Sequence, residues 1–138
     1  MPKYQNELPE LKPINGVDLS KLLETINKRI SILKNEHYQI GHSYFLDIKN
    51  MSDLQEVMIK KIIPLLQEYF YDDWKSICAV LNQSYESNPK ENGILLSEKV
   101  DKTLFKRPEY DDLLRYTNEI IFKINKEFSE EDIKKVYN

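Results

Sequence analysis

The chain is poor in glycine, which limits the chemistry it can carry out. Its three glycines are Gly16, Gly41 and Gly93, in 138 residues. None lies in a G-x-x-x-x-G-K-[ST] stretch, the loop whose backbone amides cradle nucleotide phosphates. A self-contained P-loop nucleotidase is therefore excluded, and we expect the chain alone to hydrolyse neither GTP nor ATP.

Cysteine and histidine are also scarce. Cys78 is the single cysteine, so no internal disulfide can form, and its apolar neighbours predict a small buried hydrophobe. His37 and His42 are five residues apart, with Asp47 five further on. That spacing is poor for shared metal ligation on a helix, so no metal site is expected.

Neither a basic surplus nor a long apolar run is present. The 20 basic residues are set against 23 acidic ones, a net charge of −3, whereas proteins that bind the phosphate backbone of DNA normally carry a basic surplus. No segment reaches membrane-spanning length, and the N-terminus has no apolar signal-peptide core. We expect a cytoplasmic protein with no direct DNA binding and no membrane contact.

What the sequence does contain is helical periodicity. Asp18 is a candidate N-cap, and apolar residues then recur on one face of a helix that should fray by Asn35 or Glu36. A capping-box pattern, Ser52 with Gln55, predicts a second helix over residues 53–70, with a kink at Pro64. A third helix should begin at Asp72 or Asp73 and end near Asn82. The stripe of the first helix consists of Leu19, Leu22, Leu23, Ile26, Ile30 and Leu33.

The character of the chain changes after a polar loop that ends in Asn92-Gly93. Ile94-Leu95-Leu96 is a short apolar run, and residues 119–124 alternate as in a strand, with Ile120, Phe122 and Ile124 on one face. Pro108 opens a brief helix through Tyr116, and Ser129 with Asp132 caps a terminal one. The predicted fold is mainly α, a helical bundle with a small C-terminal β-hairpin or sheet. We divide it into a lead-in (1–17), a helical domain (18–82), a loop (83–93) and an α+β extension (94–138).

Two aromatic-rich strings carry a family resemblance. They are Ile40-Gly41-His42-Ser43-Tyr44-Phe45 and the run from Ile62 through Pro64 and Tyr69-Phe70-Tyr71 to Trp74. With the helix at 19–33, they resemble the C-terminal helical lid of McrB-type AAA+ NTPases, the motor subunits of 5-methylcytosine-specific restriction systems. The resemblance spans roughly residues 14–82. It implies an AAA+ lid-like bundle, either a piece of a longer motor or a split gene product.

The resemblance also implies partners and a site. The complete motor would use GTP or ATP with Mg²⁺, while the isolated chain would need no cofactor. Its partners would be an AAA+ core domain, neighbouring subunits of a ring and a McrC-like nuclease subunit. Gly41, His42 and Ser43 occupy the place where a lid faces the nucleotide. The alternative is that His42 and Ser43 only cap a short helix. Tyr44 and Phe45 are predicted to be core residues in either case.

Other residues favour structural roles. Glu68, Asp72 and Asp73 could bind Mg²⁺, but acidic residues at helix junctions are favoured as caps. Tyr69, Phe70, Tyr71 and Trp74 lack interleaved cations and are predicted to be core. A lid separated from its core domain should expose an apolar patch, which we predict at Leu8, Leu11 and Ile14 and at Ile59, Ile63 and Phe70.

Two functions from different classes follow. The first is a lid that closes over nucleotide and mediates ring assembly, with no catalysis of its own. The alternative is a free-standing helical protein-interaction module with no nucleotide role. A self-contained enzyme is least favoured, since no nucleophile–base pair is apparent.

Overall fold

The computed structural model describes residues 10–85, 93–115, 117 and 120–138. Leu8, most of the 83–93 loop including Asn92, and both Tyr116 and Glu119 lie outside these residues. The helices are α1 (Leu19–Leu33), α2 (Met51–Val57), α3 (Ile63–Tyr69), α4 (Trp74–Val80), α5 (Asp111–Leu114) and α6 (Glu130–Tyr137). The strands are β1 (Leu95–Lys99) and β2 (Ile120–Ile124). The described part is therefore mainly helical, with one small sheet.

Helix α1 begins as the sequence predicts. The Asp18 carboxylate accepts a hydrogen bond from the Lys21 amide at 3.0 Å, and five of the six apolar stripe residues are buried. The exception is Leu33, which is 47% exposed. Arg29 donates hydrogen bonds to carbonyls at the C-terminal ends of α4 and α6, so α1 is joined to both of those helices.

Helix α2 begins two residues earlier than the capping-box pattern predicts. Asn50 is the N-cap and accepts from the Asp53 amide at 2.8 Å, while the Asp53 carboxylate accepts from the Lys49 amide at 3.1 Å. The predicted Ser52–Gln55 box is wrong. The Gln55 side chain instead donates to the Phe128 carbonyl at 2.7 Å, a long-range contact that tethers the C-terminal segment.

The predicted irregularity around Pro64 takes the form of a π-helical turn, Met58–Ile62, between α2 and α3. The Ile63 amide donates to the Met58 carbonyl, five residues earlier. Pro64 has no amide to donate and its ring crowds the preceding turn, so a widened turn there relieves the clash. The turn lets Ile62, Ile63 and Leu66 all remain buried.

The C-terminal segment forms a small sheet as predicted, and its two strands are antiparallel, with Leu95 opposite Ile124 and Lys99 opposite Ile120. Gln83 fixes the start of β1 because its side-chain amide donates to the Leu95 carbonyl at 2.6 Å and accepts from the Leu95 amide at 2.9 Å. A Cβ on Gly93 would lie 2.9 Å from the Gln83 Oε1 atom, so a larger residue there would displace the Gln83 side chain from its bonds to Leu95.

Residues from both halves share one hydrophobic core. Phe128, Ile133 and Val136 join the buried side chains of α1–α4. The Phe122 ring stacks on Trp74 and Tyr85, with ring centroids 5.6 Å apart in each pair. Helix α6 begins with the predicted capping box of Ser129 and Asp132 and packs on α1. The C-terminal segment therefore completes the core of the helical region.

The predicted exposed patch is wrong where it can be examined. Leu11, Ile14, Ile63 and Phe70 are at most 8% exposed, and Ile59 is half-buried. All five pack in or against the common core, so the chain's own residues provide the cover expected from a separate domain. Within the described ranges, no helix has the length and apolarity to cross a membrane.

Candidate functional site

The segment with the predicted nucleotide-facing residues is a loop of two short 3₁₀ turns, Glu36–Tyr38 and His42–Phe45. Asn35 caps the first turn by accepting from the His37 amide at 2.8 Å. Gly41 is the N-cap of the second turn and makes no side-chain cap. At its far end the Phe45 side chain is 1% exposed, which anchors the turn in the core.

Asn27 of α1 fixes the middle of this segment. Its side-chain amide donates to the Ile40 carbonyl at 3.0 Å, and its side-chain oxygen accepts from the Ile40 amide at 2.6 Å. The residue before Gly41 therefore has both backbone groups bound to a rigid helix. Sequence reasoning missed this role. The available signal was an asparagine inside a helix, where it is unfavourable unless its side chain binds a particular partner.

The structure presents the three predicted residues at or near the surface. Gly41 and Ser43 are exposed, and His42 is half-buried. Tyr44 was predicted to be core but is 37% exposed, whereas Phe45 is buried as predicted. Adjacent side chains of a 3₁₀ turn point about 120° apart, so only one of these two neighbouring aromatic residues reaches the core.

Gly41 has no evident internal reason to be glycine. Its φ of −69° is accessible to any residue. An added Cβ would meet only the Ser43 Oγ atom, at 3.8 Å, which is ordinary van der Waals contact. A glycine that its own chain does not require is compatible with close approach by an external group.

Aromatic side chains flank this segment. The Lys34 ammonium lies 5.2 Å from the Tyr38 ring centroid and 5.0 Å from that of Tyr71. Tyr38 also meets Tyr69 edge to face at 5.3 Å. Burial, followed by the neighbouring Tyr44 and Glu68, raises the pKa of the Tyr69 hydroxyl. These rings cover the end of α1 beside the candidate site.

The prediction that Tyr71 is core is wrong. Its side chain is 84% exposed, and its φ is +51°. Tyr71 and Asp72, which has a φ of +58°, form the left-handed turn between α3 and α4. This turn directs the Tyr71 ring outward onto Lys34. Phe70 is buried, which agrees with its assignment to the core and not with its assignment to the exposed patch. Tyr69 and Trp74 are partly buried against the core.

The acidic residues at this junction have structural contacts. Asp73 is the N-cap residue of α4 and accepts from the Ser76 hydroxyl at 2.9 Å, and Asp72 accepts from the Gln67 side chain at 3.2 Å. In the part of the chain that is described, no group of three or more His, Cys, Asp or Glu side chains is placed to hold a metal ion. Asp73 thus occupies the predicted N-cap position, but its carboxylate binds the Ser76 hydroxyl and makes no hydrogen bond to a free amide of α4.

Cys78 is a buried structural residue. Its side chain is 1% exposed, and burial raises the pKa of its thiol to about 12. The thiolate is the reactive form, so this thiol is protected from nucleophilic chemistry near neutral pH. The prediction of a small buried hydrophobe is confirmed.

Comparison with known proteins identifies the helical region. Residues 18–78 match the family model described as McrB, alpha-helical lid domain. No curated protein matches the chain. The matched range begins at the N-cap of α1, contains the whole 36–45 segment and ends inside α4. Over residues 18–78, slightly less than half of its length, the chain is therefore similar to a McrB-type helical lid region.

Proposed function

We propose that this chain provides the lid of a McrB-like AAA+ NTPase, closing over nucleotide bound to a separate core domain and contributing to ring assembly. The match of residues 18–78 to the McrB lid family carries this proposal. The lid's role would be gating, because chemistry on the phosphates would be supplied by the core. GTP or ATP with Mg²⁺ would bind there, and the chain would act in the cytoplasm.

Gly41, His42 and Ser43 are the residues we propose to face the nucleotide. Gly41 and Ser43 are exposed on a backbone that Asn27 holds at Ile40. A four-residue 3₁₀ turn has little dipole of its own. We therefore assign the contact to short-range hydrogen bonds from the turn's first amides and the two polar side chains. Gly41 would allow the ligand to approach the backbone closely.

The proposed partners follow from the lid role. They are the AAA+ core, the neighbouring subunits of a ring and a McrC-like nuclease subunit. In such a ring the lid of one subunit moves with its bound nucleotide, and this movement changes the contact with the next subunit. The nuclease subunit would respond to the state of the assembled ring.

The test is a pair of substitutions in a polypeptide that joins an AAA+ core to this chain. His42→Ala should weaken nucleotide binding or turnover by about tenfold, the effect of losing one good hydrogen bond to a charged group. His37→Ala is the matched control, because His37 is exposed on the same segment but lies before the Asn27 contact. It should leave both quantities unchanged.

Stability must be measured on the same variants. His42→Ala should leave the isolated chain folded, with one cooperative urea transition. A lower midpoint, together with unchanged nucleotide binding in the joined polypeptide, would show that His42 is a structural residue and would remove it from the site.

A further inference from the structure

Part of the segment that connects β1 to β2 lies outside the sheet and is exposed to solvent. We call its residues 102–115 the arm. It contains two 3₁₀ turns, Lys102–Leu104 and Pro108–Tyr110, followed by α5. Every residue from 102 to 113 is exposed, and no arm residue belongs to the common core. The arm has local structure yet gives the fold no buried side chain.

Large apolar side chains are concentrated on the arm. Leu104 is 73% exposed, Leu113 64%, Phe105 48% and Tyr110 40%. Four such side chains occur within ten residues, in contrast to singly scattered exposed hydrophobics, which are normal. A surface of this kind indicates a binding partner.

The charges on the arm are segregated. Residues 102–107 contain three basic side chains, Lys102, Lys106 and Arg107, and no acidic one. Residues 108–114 contain three acidic side chains, Glu109, Asp111 and Asp112, and no basic one. Arg115 follows, 3.6 Å from Asp112. The arm thus has a basic half and an acidic half, each carrying two of the exposed apolar residues.

Pairing within one arm leaves these charges available. The Arg107–Glu109 contact is 3.8 Å long, and both side chains are more than 60% exposed. The Arg115–Asp112 pair is similarly exposed. Exposed ion pairs of this length contribute little free energy, so the charged side chains of both halves remain able to pair with an external surface of opposite charge.

The shape of the arm also accommodates a side chain. Phe105 and Leu114 are the apolar part of an open concavity, with Lys102, Thr103, Asp111 and Arg115 around them. Leu104, Tyr110 and Leu113 lie outside this concavity. One arm therefore carries both an apolar recess and apolar projections.

From these features we infer that the arm binds the arm of a second copy of this chain, in antiparallel orientation. A two-fold contact places the same surface on both partners, so the surface must be complementary to itself. The segregated charges meet that condition, because the basic half of each copy then lies against the acidic half of the other. The recess around Phe105 and Leu114 receives an exposed leucine of the partner.

The contact should be weak. Standard interfaces use about 20–30 residues on each side, and the arm offers 14. We expect dimers with a dissociation constant on the order of 100 μM, weakened further when salt screens the charges. This contact is two-fold, so it differs from the head-to-tail contact by which the subunits of a ring meet, and it does not depend on the proposed nucleotide role.

A charge-exchange experiment tests the inference. An arm with its basic half reversed, K102E/K106E/R107E, and an arm with its acidic half reversed, E109K/D111K/D112K, should each abolish dimers in sedimentation experiments on the full chain up to about 1 mM. An equimolar mixture should restore association, because the two arms are then complementary. The matched control is K12E/K49E/K61E, which changes the charge equally at exposed lysines elsewhere and should still dimerise.

Three results would overturn the inference. The parent chain could stay monomeric to about 1 mM. The mixture of the two arm variants could fail to associate while each remains folded by circular dichroism. Dimers could also form with equal affinity whatever the charge of the arm.

Discussion

At the residue scale, the position of the candidate site depends on Asn27. Asn27→Ala would leave the Ile40 amide and carbonyl without partners, although Ile40 is only 3% exposed. We expect a loss of about 1–2 kcal/mol in the free energy of unfolding. Hydrogen exchange of the amides from 40 to 45 should also become faster by roughly tenfold or more.

Lys28→Ala is the control for this change. Lys28 is the next residue on α1, and its ammonium makes an exposed ion pair with Glu24 at 2.9 Å. Lys28→Ala should change neither the free energy of unfolding nor the exchange rate of the amides from 40 to 45 appreciably. If Asn27→Ala left the exchange of the 40–45 amides at the parent rate, the segment would be held by Phe45 alone.

Arg29 joins three helices. Its guanidinium donates to the Val80 carbonyl at 2.8 Å and to the Val136 carbonyl at 2.6 Å, at the C-terminal ends of α4 and α6. A cation is favoured there because both helix ends carry partial negative charge. Burial lowers the pKa of this guanidinium, but an arginine remains charged at neutral pH.

Arg29→Met keeps much of the side-chain volume and removes both donors. We expect it to lower the free energy of unfolding by about 2–3 kcal/mol, measured by urea denaturation. Lys28→Met, an equal change on the exposed face, should cost under about 0.5 kcal/mol. Equal losses for the two variants would contradict the joining role of Arg29.

Cys78 gives a prediction about pH. Its thiol has a pKa of about 12 in the folded chain, against an ordinary value of 9.0. Between these values the unfolded thiol ionises and the folded one does not. The unfolded chain then binds fewer protons, so the free energy of unfolding contributed by this group falls as pH rises from 9 towards 12. Below pH 9 the group has no such effect.

Iodoacetamide labelling at pH 8 provides the measurement. The folded chain should react at least about a hundredfold more slowly than the chain in 8 M urea, since the thiol is both buried and protonated. Comparable rates in the two conditions would mean that the environment of Cys78 is open to solvent.

At the element scale, α6 is part of the helical core although it lies outside the matched lid range. Ile133 is 0% exposed, and α6 packs on α1. The Tyr137 hydroxyl accepts from the Asp18 amide at 2.9 Å, and the Lys135 carbonyl accepts from the Asn82 side chain at 2.9 Å. These contacts place α6 over the start of α1 and the end of α4.

Ile133→Ala should therefore destabilise the whole chain by about 2–5 kcal/mol in a single unfolding transition. Lys135→Ala is the control on the exposed face of the same helix and should cost under about 0.5 kcal/mol. A separate early transition for Ile133→Ala, with the midpoint of the remainder unchanged, would show that α6 is an independent appendage.

Helix ends were predictable from sequence where one cap stands alone. Asp18 and Ser129 each cap the predicted helix through contacts within three residues. Before α2, Asn50 and Ser52 are both acceptable caps two residues apart. Asn50 prevails because Asp53 also binds the Lys49 amide, and because Gln55 is engaged by Phe128. The second contact spans 73 residues and cannot be seen in a local pattern.

At the scale of the whole molecule, the sequence predicted a mainly helical fold with a small sheet, but not which of its apolar faces would be buried. Helical periodicity and strand alternation were sufficient to predict the main helices and the small sheet. Ile63 and Phe70 belong to a core that also contains residues as distant in sequence as Phe128 and Val136. Periodicity along one helix cannot show whether such distant residues complete its burial. The family resemblance located the 40–45 segment, but its attachment through Asn27 required coordinates.

The central claim is that the 40–45 segment closes over nucleotide held by an AAA+ core. The most direct test is hydrogen exchange on a polypeptide that joins such a core to this chain, with and without a non-hydrolysable GTP or ATP analogue and Mg²⁺. We predict that nucleotide slows exchange of the amides from 41 to 45 by about tenfold or more, while those of α6 remain unchanged. Unaltered exchange at 41–45 with nucleotide saturating the core would contradict the account and favour a helical interaction module with no nucleotide role.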